Sequence, residues 1–158
     1  MRTTTADMLY PDNGECVELT AYTAVLNELA AAASTYSEPV EITEMYARDN
    51  YAPTTFALDG REFTTKLPVT LNKRVLRCEL VQALRDEASE VRDGMDAQEL
   101  FDSWWASLTT GHEDTDDVEV MARITADVTE RVLQAIEEDT DYYGALLRAT
   151  ERLASAAI

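Results

Sequence analysis

Histidine occurs once in these 158 residues, cysteine and lysine twice each, and glycine five times. Each scarcity removes a class of chemistry. One imidazole, His112, cannot supply a multi-histidine zinc site. A Ser–His–Asp arrangement would have to use it too, with no Gly-x-Ser-x-Gly elbow to present a serine. Five glycines leave no phosphate loop and no dinucleotide-binding fingerprint. Cys16 and Cys78 match no metal or redox spacing and read as reduced, half-buried small hydrophobes, with nothing positive to support a disulfide. No run approaches the roughly 18 apolar residues that a membrane span needs. Met1-Arg2-Thr3-Thr4-Thr5-Ala6-Asp7 lacks the apolar stretch of a secretory signal. The expected location is the cytoplasm, or a particle such as a virion assembled there.

Carboxylate is what the chain has in excess: 31 Asp and Glu against 13 Lys and Arg, a net charge of −18. Apolar residues still make up 46% of it, so it is not a disordered acidic tail. Its length fits one domain, residues 1–158, with a sizeable core. So large a charge repels itself and opposes the compact state. Salt at about 1 M shortens the Debye length to about 3 Å and screens most of that repulsion. Lys66 and Lys73 are the only lysines, the other eleven cations are arginines, and Thr and Ala are frequent. That composition resembles proteins of salt-accumulating halophiles. A DNA mimic would cluster its acids, whereas these are spread over nearly the whole chain.

Hydrophobic spacing predicts a mainly helical, single-domain bundle of five or six helices with one β-hairpin. After the turn cluster Tyr10-Pro11-Asp12-Asn13-Gly14, apolar residues from Leu19 to Ala33 recur at helical spacing, and a helix is expected over 14–34. Its end, Ala30-Ala31-Ala32-Ala33, is slim enough for another element to approach closely. Residues 38–50 fit a helix starting at Pro39 or a strand through Val40, Ile42 and Tyr46; helix is the preferred reading. Residues 54–67 carry the hairpin: two alternating runs flank Asp59-Gly60, the pair a type I′ turn favours. Phe56 and Leu58 share a face of one arm, and Phe63, Thr65 and Leu67 of the other; Pro53 and Pro68 are expected to bracket it. A two-stranded hairpin is not stable alone in water, so it must pack on helices, join more strands or add to a neighbour's sheet. Asn72 caps a helix to about 93, and Asp96 opens a short one carrying Leu100, Phe101, Trp104, Trp105 and Leu108. A helix over 116–138 follows, then a break at Asp139-Thr140 and a last helix on Tyr143, Leu146 and Leu153.

Few residues invite chemistry. The loop His112-Glu113-Asp114-Thr115-Asp116-Asp117 offers hard oxygens for Ca²⁺ or Mg²⁺, but lacks the EF-hand spacing. It reads first as a solvated loop in which Asp114 or Thr115 caps the next helix, so no cofactor is expected. The charge asymmetry says more. From Arg61 to Cys78 five cations (Arg61, Lys66, Lys73, Arg74, Arg77) face one carboxylate, a local +4, against −22 for the rest. Such a stripe either pairs internally or meets an acidic partner, including a second copy of the chain. Nucleic acid is disfavoured by the surrounding charge. Phe63 on the hairpin and the adjacent Trp104 and Trp105 complete the interface candidates, tryptophan being enriched at binding hot spots.

The expected function is therefore that of a non-enzymatic structural or interaction protein of a halophilic system, oligomeric with other protein subunits. Connector and adaptor proteins of virus particles offer an analogy. The alternatives are an acidic regulator or inhibitor of a basic protein, and a small metal-dependent enzyme using residues 112–117.

Overall fold

The structure, a computed structural model, describes residues 7–12, 14–34, 39–42, 44, 46–58, 61–112 and 116–157. Strands β1 (Met8–Pro11) and β2 (Val17–Glu18) precede helix α1 (Leu19–Ala33). Then come β3 (Glu41–Ile42), β4 (Tyr46–Ala47), a 3₁₀ turn (Arg48–Asn50), β5 (Tyr51–Leu58) and β6 (Arg61–Pro68). Helices α2 (Lys73–Gly94), α3 (Ala97–Leu108) and α4 (Val118–Ser155) complete the chain. The protein is mostly helical, but with four α-helices among the described residues rather than five or six, and two small sheets rather than one hairpin.

Three expectations need correction. The first helix begins at Leu19, not near Gly14, because Val17 and Glu18 pair with Leu9 and Met8 of β1. Residues 38–50 contain no α-helix among those described, only the 3₁₀ turn at Arg48–Asn50. Pro39 and the turn at Asp49-Asn50, both with positive φ, leave a segment too short to hold a helix unaided. Short strands there find partners: β4 runs parallel to β1, and β3 antiparallel to β5. No break occurs at Asp139-Thr140, which lie inside the continuous α4. Asp and Thr lower helix propensity by only about 0.5 kcal/mol each. The buried stripe runs on through Val128, Val132, Tyr142, Leu146 and Leu153. The Thr140 hydroxyl donates to the Ile136 carbonyl one turn back and is thereby satisfied within the helix. Tyr142 is buried, rather than the adjacent Tyr143 that the spacing put on the stripe.

Two compact units divide the chain: Met1–Ala88 with Ala145–Ile158, and Ser89–Gly144. In the first, β6 and β3 flank β5. Leu58 pairs with Arg61 and Phe56 with Phe63, so Asp59-Gly60 is a two-residue connection; these two residues themselves lie outside the described ones. Pro53 does not bracket the hairpin but sits within β5, opposite Lys66. Alternation places Ala52, Thr54, Phe56 and Leu58 inward with Phe63 and Leu67. The hairpin thus meets its need for cover by adding β3 and packing against helices: Phe56, Leu58 and Phe63 converge with Ala30, Ala33, Leu80 and Leu84. The small side chains that end α1 allow that approach. Asn72 caps α2 as expected, its Oδ1 accepting from the backbone N–H of Arg74 and Val75.

Tyr22 is fully buried in this unit, and its hydroxyl donates to the Pro68 carbonyl at 2.9 Å. Burial pushes the phenol well above its ordinary value; the adjacent Thr54 hydroxyl offsets only part of that. Above about pH 10 the unfolded chain releases this proton and the folded chain keeps it, so stability falls as pH rises. Tyr22→Phe should lose about 1 kcal/mol at neutral pH with the hydrogen bond, yet fall less steeply in alkali. Urea unfolding at pH values of about 7, 9 and 11 tests this; parallel pH profiles for the two proteins would contradict it.

The second unit joins the end of α2, α3 and most of α4. Asp96 caps α3, accepting from the N–H groups of Gln98 and Glu99 at 3.0 and 3.1 Å. Asp117 caps α4, accepting from Glu119 at 2.9 Å; the expected caps, Asp114 and Thr115, lie outside the described residues. The buried cluster is small: Ile124, Val128 and Val132, with Leu100, Phe101, Trp104, Trp105 and Leu108 half-buried against it.

Candidate interaction surfaces

The cations of the predicted basic stripe stand on two elements. Lys73, Arg74 and Arg77 share the first turns of α2, whereas Arg61 and Lys66 stand on β6. Five residue steps along the strand separate Arg61 from Lys66, about 16 Å of extended chain. Lys73 forms an ion pair with Glu28. The Arg77 guanidinium donates to the Ala156 carbonyl at 2.8 Å, satisfying a backbone acceptor just beyond α4. Arg61, Lys66 and Arg74 are exposed. Phe63 is not a surface residue. It is buried, with its ring stacked on Phe56 at a centroid distance of 6.3 Å, because the inward side of β6 is the side that carries it.

Trp104 and Trp105 belong to the second unit. Neither fills its core: both are half-buried. Phe101 stacks on Trp105 at 5.9 Å, and the Arg131 guanidinium lies 5.0 Å from the Trp104 ring centre, close enough for a cation–π contact. No residue of α3 is buried, although five of its twelve are large and apolar. Beside it runs an open groove of about 240 Å³, lined by Ala97, Gln98, Phe101, Thr129, Val132 and Leu133. Leu133 is 63% exposed.

Sequence reasoning missed this groove. A weak signal was present: Leu133 follows Val132, and neighbours on a helix point about 100° apart, so one of them can fall at the edge of the buried stripe or beyond it. It also missed Leu71 and Val75, which are 48% and 41% exposed before and within the first turn of α2. Cys16 and Cys78 are exposed rather than half-buried, and both are free.

The acidity is uneven once the fold is known. Residues 89–144 hold sixteen carboxylates and three arginines, a charge of −13, whereas the other unit holds fifteen and ten, a charge of −5. Among the described residues, no three His, Cys, Asp or Glu side chains gather as metal ligands; Glu113, Asp114 and Thr115 of the acidic loop lie outside them. His112 is exposed, its backbone N–H donating to Thr109. No helix among the described residues is long and apolar enough to cross a membrane. No protein-family model, curated protein or solved structure matches the chain.

Proposed function

We propose that this chain is a non-enzymatic structural or interaction protein that assembles with copies of itself in concentrated salt. The observation that carries the reading is α3, whose aromatic face is only half covered by its own unit. A face of that kind is completed by another protein surface. The hairpin, by contrast, gives the reading less support than its sequence promised, because its inner face is already covered. A component of a virus particle is one setting for such an assembly, by analogy alone.

Light scattering at about 2–3 M KCl, where surface charge is screened, should give a mass that is a multiple of the 17.6 kDa chain. A single-chain mass at every concentration would reject self-assembly. The −13 unit favours a second reading, a regulator that binds a basic protein. Its affinity should collapse as salt rises, whereas an apolar contact between copies should hold.

A further inference from the structure

Two exposed surfaces of this chain carry uncovered apolar side chains and complement each other in charge. At the start of α2, Leu71 and Val75 present apolar side chains beside Arg74, with Lys73 and Arg77 on the same turns. The amino-terminal end of a 22-residue helix adds partial positive charge. The groove beside α3 offers the counterpart. Its apolar lining includes Phe101, Val132 and Leu133. Helical spacing puts the exposed Glu130 and Glu137 three before and four after Leu133. Asp102 accepts from the groove-lining Gln98 at 2.8 Å. The whole unit carries −13.

We infer that Leu71, Arg74 and Val75 of one copy seat in the acid-rimmed groove of Phe101 and Leu133 on a second copy. This rests on the self-assembly proposed above and adds its location and its symmetry. The two patches differ, so the contact is heterologous: every copy offers one of each, and the chain of contacts closes into a ring or runs on as a filament. Charge opposes the groove pairing with another groove, since both rims are acidic, and charges enclosed in a contact are screened by salt far less than exposed ones. It favours the cationic turn, which keeps Arg74 exposed even with Lys73 held by Glu28.

Complementation tests this directly. One variant carries Leu71→Asp and Val75→Asp, the other Leu133→Asp. All three positions are exposed, so both variants should fold, as far-UV circular dichroism and melting in the same salt would check. Each alone should be monomeric at about 2–3 M KCl. Mixed in equal amounts they should form a 1:1 dimer of twice 17.6 kDa, because each retains the patch the other lacks. If the Leu71→Asp/Val75→Asp variant still assembles alone and only Leu133→Asp does not, the groove pairs with itself and the inference fails. If both variants assemble alone, the contact lies elsewhere; the inference fails and self-assembly stands. If the unmodified chain is monomeric at every concentration, self-assembly itself fails, and the groove is left for a foreign cationic segment.

Discussion

Truncating Phe63 to alanine should destabilise the protein by about 3–5 kcal/mol, the usual cost of removing a buried phenylalanine. Its ring is 4% exposed and stacks on Phe56 in a cross-strand pair toward the turn end of the β5–β6 ladder. The same void would open against Ala30, Ala33, Leu80 and Leu84. Those alanines cannot extend to fill it, so relaxation recovers little of the loss. Lys66→Ala, on the outer face of the same strand, should change stability by no more than about 0.5 kcal/mol. Chemical denaturation of both variants in matched salt separates the two roles. If Phe63→Ala left stability intact but dissolved an oligomer, Phe63 would be an interface residue, and its burial in the monomer core would be the wrong description.

Salt should have an effect of similar size. Two unit charges about 10 Å apart in water repel by about 0.4 kcal/mol before screening. The second unit concentrates −13 on 56 residues around a buried cluster of three. Summed over that excess, repulsion of order 3 kcal/mol or more opposes folding at about 0.1 M salt, and most of it vanishes at about 2–3 M. For a chain of this size the melting temperature should rise by roughly 10 °C between those conditions. Trp104 and Trp105 are the only tryptophans, and both lie in the second unit. Their fluorescence should therefore record a lower midpoint in dilute buffer than far-UV circular dichroism, and the two should converge as KCl is added. A melting temperature indifferent to KCl from about 0.1 to 3 M would remove the case for adaptation to salt.

Several elements were legible because their causes are local. Asn72 and Asp96 cap α2 and α3 through hydrogen bonds that span two or three residues. Asp-Gly between alternating runs set the hairpin register, and Leu58 does face Arg61. The stripe Leu76, Leu80, Leu84 and Ala88 is buried as its spacing implies. Elements that depend on distant partners were not legible. Strands β2, β3 and β4 have two residues each, and a two-residue strand exists only because another strand lies beside it. The unbroken α4 was missed for a related reason. A dip in local propensity at Asp139-Thr140 is outweighed by side chains buried on either side of it.

The candidate surface divided in the same way. Arg74 and the aromatic residues of α3 were visible as residue types, but Phe63 was assigned to the surface because alternation names a face without saying what covers it. By itself, the amino-acid sequence determined the charge, the helical stripes, the caps and the hairpin, since each follows from composition or from neighbours a few residues apart. Only the tertiary structure decided which apolar side chains stay uncovered, Leu71, Val75 and Leu133 among them. It decided too that the contiguous stretch 89–144, whose −13 is countable in the sequence, stands as a compact unit of its own. Exposure depends on what packs against a side chain, and the groove beside α3 joins two helices that the sequence alone does not bring together.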